Sequence, residues 1–153
     1  MDNNEVFCEL LTNENVHLLY TALNKLNESE KFTIDRARLK SFLEYPQNLA
    51  FIAKFNGEVC VFIYGYSLMA LDAAPQLFIY SVDVFENYQN KGIGSKLFQY
   101  VVDYSRLNSF SECFVITDKG NKMACRIYEK AVGKNDFEDE IVYVIKHHKA
   151  EEK

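Results

Sequence analysis

Residues 77–97 read LFIYSVDVFENYQNKGIGSKL, and this stretch decides the fold. It opens on Phe78, Ile79, Tyr80, Val82, Val84 and Phe85, an apolar run that predicts a strand with at least one buried face. It closes on Gly92-Ile93-Gly94-Ser95, and Leu97, Phe98, Val101, Val102 and Tyr104 follow at helical spacing. Strand, polar loop, glycine turn and helix together make an anion cradle. The first backbone N–H groups of a helix lack intrahelical acceptors, and the helix dipole favours negative charge there. Glycine removes the Cβ that would hold a phosphate away. The loop is not GxxxxGK[ST] and not GxGxxG, so neither a Walker loop nor a dinucleotide fingerprint is supported. The plain alternative is an ordinary strand–helix connection with two flexible glycines.

Outward from this stretch, the chain reads as β-α-α-β-β-β-α-β-α-β. Val6–Leu11 is a strand, and Val16, Leu19, Leu23 and Leu26 mark an amphipathic helix. Asn27–Thr33 is a polar loop, Asp35–Glu44 a second helix, and Pro46 closes it. Leu49–Phe55 and Val59–Leu68 flank Asn56-Gly57, a strong two-residue hairpin signal. After a loop over Ala70–Pro75 come the Leu77–Phe85 strand and a helix to about Arg106. Cys113–Thr117, Lys122–Ala131 and Glu140–Lys146 then read as strand, helix and last strand. A mid-chain hairpin followed by crossover helices predicts a mixed sheet of α/β (α+β) type. The 153 residues suit one domain spanning 1–153.

Composition narrows the class. Apolar content of 48% and charged content of 25% are globular values. No apolar run reaches membrane-spanning length, and Met1-Asp2-Asn3-Asn4-Glu5 lacks a signal peptide's basic start, so a cytoplasmic location is expected. A net charge of −5 argues against nonspecific nucleic-acid binding and permits a cationic partner. Cys8, Cys60, Cys113 and Cys125 lie far apart with no CxxC pair, which points to reduced thiols and no metal. His147-His148 sits in a polar tail and reads as solvated.

Gln89-x-x-Gly92-x-Gly94 after Val82-Asp83-Val84 resembles the acetyl-CoA motif of the GNAT N-acetyltransferases, (Q/R)xxGx(G/A). The resemblance implies that Gln89, Asn90, Lys91, Gly92, Ile93, Gly94 and Ser95 hold the pyrophosphate of acetyl-CoA. It gives pantetheine and the acetyl carbonyl to the backbone of Val82, Asp83 and Val84. It also implies the family's sheet, mostly antiparallel with splayed central strands and about four helices, with one more strand near Asp136–Phe137. A second motif follows, Asn121-x-x-Ala124-x-x-x-Tyr128. Seven residues are two helical turns, so Asn121 and Tyr128 share a face. In the family this Asn contacts pantetheine, and the Tyr hydroxyl sits near the sulfur. Asn121 also reads as a plain N-cap, and Tyr128 as a core aromatic.

Phe78–Val84 is similar to the corresponding strand of the short aminoglycoside 3-N-acetyltransferases, and Ile127–Gly133 resembles their LYTKLG. By this resemblance Tyr80, Ser81, Asp139 and Glu140 border a small-molecule amine acceptor. The run Glu138-Asp139-Glu140 would hold a polycation, or is a solvated loop. Ser81 replaces the subgroup's Asp and cannot serve as the same base. Asp83 shares its strand face by strict alternation and could replace it, unless a bulge at Val82–Val84 upsets the register. Cys60 stands where the family usually has Gly. Asp83 as base and Tyr128 as acid would complete direct transfer. Three readings remain open: an aminoglycoside or polyamine acetylase, an acetylase of another small or protein amine, and an acyl-CoA-binding relative without turnover. A homodimer is also left open.

Overall fold

The computed structural model describes residues 5–26 and 34–147. The polar loop expected at Asn27–Thr33 lies outside them. The elements are β1 (Val6–Leu10), α1 (Val16–Asn24), α2 (Arg36–Leu43), β2 (Asn48–Phe55), β3 (Glu58–Leu68), β4 (Gln76–Val84), α3 (Ile93–Leu107), β5 (Glu112–Val115) and α4 (Lys122–Lys130). A 3₁₀ turn, Glu86–Tyr88, precedes the glycine loop. The sheet order is β1-β2-β3-β4-β5, antiparallel except for the parallel β4–β5 pair. This is the expected mixed, mostly antiparallel sheet with four helices.

Local chemistry explains the borders. Asn56 and Gly57 take φ of 53° and 81°, the left-handed pair that a tight hairpin turn demands. The Asp35 carboxylate accepts the Ala37 N–H at 2.9 Å and starts α2.

Two apolar layers sandwich the sheet. Phe51, Val61, Ile63, Leu77 and Ile79 pack on Ile93, Leu97, Phe98 and Val101 of α3. On the other face Ala50, Ile52 and Phe62 pack with Leu19 and Ala22 of α1, and α2 adds Leu39 and Phe42.

Two bulges interrupt the ladder, and neither lies at Val82–Val84. Ala53 faces Val61 while Lys54 faces Val59, so Cys60 is the extra residue. Tyr64 faces Ser81 while Gly65 faces Ile79, so Tyr80 is extra. A Cβ on Gly65 would lie 2.1 Å from the Phe78 carbonyl oxygen; the backbones approach there as only glycine permits. The bulge reverses the alternation once. Leu77, Ile79, Val82 and Val84 therefore face α3 and α4, and Ser81 and Asp83 share the opposite face.

The last strand is a correction. Among the described residues, 134–147 carry no strand, neither at Glu140–Lys146 nor at Asp136–Phe137. The alternating and β-branched pattern of Ile141–Ile145 is strand-like, but a strand forms only against a partner edge, and among the described residues none pairs with it. Near Asp136–Phe137 the Asn135 side chain instead accepts the Phe137 N–H at 3.3 Å.

Candidate active site

The site follows from the shortness of β5. It pairs with β4 only from Gln76 to Ile79, and β4 runs on alone from Tyr80 to Val84 along that edge. Beyond Val115 the chain turns away, with the Asp118 carboxylate accepting the Gly120 N–H at 2.7 Å. The central strands therefore splay, and a slot opens beside Ser81–Val84.

On the α3 side of the slot stands the glycine loop. Gly92 is the N-cap of α3 with φ 76°, and no side chain caps the helix. Asn90 is also left-handed, with φ 59°. A Cβ on Gly92 would meet nothing within 4 Å, so the approach to the helix end is open. The Gln89 amide donates to the Val84 carbonyl at 3.2 Å and ties the loop to the strand. The Lys91 ammonium lies 5.8 Å from the Tyr88 ring centroid, and Ser95 is half-buried in the first turn. Gly94 differs from Gly92. Its Cβ would come within 2.9 Å of Val84 Cγ2 and 3.3 Å of Ile127 Cδ1. Gly94 thus lets α3 pack against β4 and α4, and Ile93 beside it is buried in the core.

Across the slot, Asn121 caps α4 by accepting the Ala124 N–H at 3.1 Å. Tyr128 is half-buried, its ring 4.9 Å from that of Phe98. Burial first, then Cys125 and Asp83 nearby, push its phenol above the ordinary tyrosine range. It stays protonated at neutral pH. Both plain readings of these residues hold as structure, since Asn121 is a cap and Tyr128 packs in the core. The Asp83 carboxylate lies near enough for its charge to add to the rise of the Tyr128 phenol.

On the opposite sheet face lies a cavity of about 530 Å³, between α2 and the β3–β4 pair. Ser81 and Asp83 line it, with Tyr64 and Tyr66 of β3 and Asp35, Arg38 and Phe42 from α2 and its cap. The Ser81 hydroxyl donates to Asp83 Oδ2 at 2.5 Å. Burial raises the Asp83 carboxyl above the usual range, and the Ser81 bond offsets part of this. Ser81 therefore orients the carboxylate beside it.

Tyr80 is 59% exposed and stacks on Tyr64 at 5.5 Å rather than lining the cavity. Asp139 and Glu140 are not brought to the cavity either. They lie in the exposed segment after α4, where the Glu140 carboxylate accepts the N–H groups of Glu138 and Asp139 at 3.0 and 3.1 Å.

The cavity wall of Tyr64, Tyr66, Phe42 and Arg38 was not legible as a site. A signal existed: the Asn56-Gly57 turn sets the β2–β3 register, and Phe62, Tyr64 and Tyr66 alternate on one face. Cys60 is buried, and its thiol is pushed up to about 11, mainly by burial. All four cysteines are free thiols. Among the described residues no cluster of His, Cys, Asp or Glu is able to hold a metal, and no helix is long and apolar enough to cross a membrane.

A family description, the acetyltransferase (GNAT) family, matches residues 16–133. The chain belongs to this family. It is an acetyl-CoA-dependent N-acetyltransferase. No curated protein matches it significantly by sequence. Among solved structures it is similar to an aminoglycoside acetyltransferase from an uncultured soil metagenomic sample, in complex with trehalose. The TM-score is 0.77 at 25% identity, over 97% of this chain and 99% of that one. A ribosomal-protein-alanine N-acetyltransferase from Brucella melitensis biovar Abortus 2308 has TM-score 0.72 at 19% identity, over 94% and 100%. The aminoglycoside N-acetyltransferase AAC(6')-Iy in complex with CoA has TM-score 0.71 at 13% identity, over 95% and 97%. The last two show the fold alone.

Proposed function

We propose that this enzyme, a single domain working in the cytoplasm, transfers acetyl from acetyl-CoA to a primary amine of a small cationic acceptor, an aminoglycoside being the acceptor favoured. The observation that carries the reading is the half-buried Asp83 carboxylate, which lines the cavity and accepts the Ser81 hydroxyl at 2.5 Å. The aminoglycoside assignment is supported by the soil-metagenome neighbour at 25% identity.

The donor's pyrophosphate would lie on N–H groups of the Gln89–Ser95 loop, at the open face of Gly92. Its thioester would lie along the unpaired edge of Val82, Asp83 and Val84. An ammonium has no lone pair, so the acceptor first loses a proton. Asp83, directly or through a water, takes it. The free amine then attacks the thioester carbonyl. An N–H near Val84 stabilises the oxyanion; a donor of this kind is worth about 3 kcal/mol. Tyr128, protonated at neutral pH, returns a proton to the departing thiolate.

A second reading is acetylation of an amine with an apolar body. The cavity wall favours it, because Phe42, Tyr64 and Tyr66 are aromatic and Arg38 is a cation. The test is steady-state release of free CoA from acetyl-CoA, screened over gentamicin-like aminoglycosides, spermidine, arylalkylamines and a lysine peptide. Aminoglycoside turnover supports the first reading. Turnover of arylalkylamines alone supports the second. No release with any amine returns the chain to an acyl-CoA-binding relative and ends both.

A further inference from the structure

We propose that the rings of Tyr66, Tyr80, Phe78 and Phe114, with the Gln76–Glu112 pair at their far end, form a second acceptor subsite that binds a distal amino-sugar ring. The inference rests on the aminoglycoside reading and extends it beyond the reacting amine.

The sheet register lines the rings up. Phe78 of β4 stands opposite Tyr66 of β3 on one side and Phe114 of β5 on the other. All three lie on the cavity face, because their neighbours in the alternation, Leu77, Ile79, Cys113 and Val115, pack in the α3 layer. Phe78 and Phe114 stack with centroids 4.9 Å apart. Tyr80, the extra residue of the bulge, sets its ring 5.5 Å from Tyr64, 5.9 Å from Tyr66 and 6.0 Å from Phe78. One aromatic floor therefore starts in the cavity, where Tyr64 and Tyr66 are wall residues, and runs out across β4 to β5.

The apolar layer under α1 and α2 draws on β2 and β3 and on neither β4 nor β5. Past Tyr66 the floor is thus open to solvent: Phe78 and Phe114 are half-buried and Tyr80 is exposed.

Chemistry selects the occupant. Continuity with the Asp83 cavity gives the floor to the far part of the molecule whose amine reacts there. Phe78 precedes Asp83 by five residues of strand, roughly 15 Å. That lies beyond the two sugar rings nearest a reacting amine, and a third linked ring reaches it. The far end of the floor is polar. Gln76 stands opposite Glu112, and its amide donates to the Glu112 carboxylate on the face of Phe78 and Phe114. Among the described residues no Lys or Arg pairs with Glu112. An aryl or alkyl body laid there would strip water from the carboxylate and give nothing back. An amino sugar instead sets its C–H face on the rings and brings its ammonium to the ring faces and to Glu112.

The experiment compares two-ring neamine with three-ring kanamycin B, which carries one more amino sugar on the same two rings. Initial rates of CoA release give kcat and KM for each. The wild type should show the lower KM for kanamycin B. Phe78→Leu keeps an apolar side chain in β4 and removes the ring. It should raise the kanamycin B KM about three- to tenfold, with kcat held and the neamine KM unmoved. Glu112→Gln keeps the side-chain shape at an exposed position and does not depend on repacking. It should raise the same KM and flatten its salt dependence. Equal KM values for the two acceptors in the wild type, or a difference that survives either substitution, would overturn the subsite and leave the aminoglycoside reading standing. No wild-type turnover of either acceptor would overturn both.

Discussion

The two glycines of the cradle do different work, and substituting each separates donor binding from packing. At Gly94 an added methyl would sit 2.9 Å from Val84 Cγ2 and 3.3 Å from Ile127 Cδ1. Overpacking of this degree costs about 1–3 kcal/mol. Alanine recovers up to about 1 kcal/mol of helix propensity. The net loss for Gly94→Ala is therefore on the order of 1 kcal/mol, and a domain of this size loses about 2–4 °C of melting temperature per kcal/mol. Val84→Ala removes the nearer of the two methyls. The double variant should thus fall short of additive destabilisation, by roughly 0.5 kcal/mol or more. Gly92→Ala meets no atom but forces a Cβ into the left-handed region, at roughly 1–2 kcal/mol. There the methyl projects where a phosphate would approach. Thermal melts with and without acetyl-CoA, and calorimetric titration of acetyl-CoA, read both quantities. Gly94→Ala should melt lower and bind donor normally once folded, whereas Gly92→Ala should lose donor affinity. A Gly94→Ala that melts like wild type yet binds acetyl-CoA weakly would refute the division of labour.

Three further perturbations bear on the site. Asp83→Asn should lower kcat and remove the acid limb of the pH–rate profile; an unchanged profile would remove Asp83 from the proton path. Its effect on stability runs the other way. The folded state raises the Asp83 carboxyl, so the native chain holds more protons and stability falls as pH rises from the ordinary carboxylate value through the raised one. Asp83→Asn should therefore melt higher than wild type at pH 7, with the advantage vanishing in acid; a lower melting temperature at pH 7 would contradict the burial argument. Tyr128→Phe keeps the ring against Phe98 and removes only the acid, so turnover should drop about 10²–10⁴-fold with acetyl-CoA affinity nearly intact. A drop below about threefold would leave Tyr128 a packing residue. Gly65→Ala places a Cβ 2.1 Å from a backbone oxygen, which no side-chain motion relieves. Circular dichroism melts should show it as the most destabilised of these variants, and a wild-type melt would refute the tight β3–β4 approach.

What could be read from the chain was what local chemistry controls. The Asn56-Gly57 turn, the Asp35 cap and the helix after Gly92 each depend on a few neighbouring residues, and each stands where expected. Asp83 was placed on the face of Ser81, and the structure keeps both on the cavity. The parity reversal at Tyr80 was invisible, because it arises from the approach of Gly65 to Phe78, thirteen positions away in sequence. The end of the chain failed for a related reason. Ile141–Ile145 has every intrinsic mark of a strand, but whether a strand forms depends on a second edge, which no local pattern encodes. The roles of the two glycines were equally hidden, since QxxGxG does not say which Cα faces solvent and which faces Val84.

The reversal at Tyr80 has a kinetic corollary. Strand β4 carries Ser81 and Asp83 toward the cavity and Val82 and Val84 toward α3, so on the proposed placement acceptor and donor lie on opposite sides of one ribbon of backbone. Neither ligand then need leave for the other to enter. Catalysis then passes through a ternary complex, and double-reciprocal rate plots intersect instead of running parallel. On the same placement, a molecule joining the amine to the thiol through a short bridge would gather affinity from both sides of the strand at once.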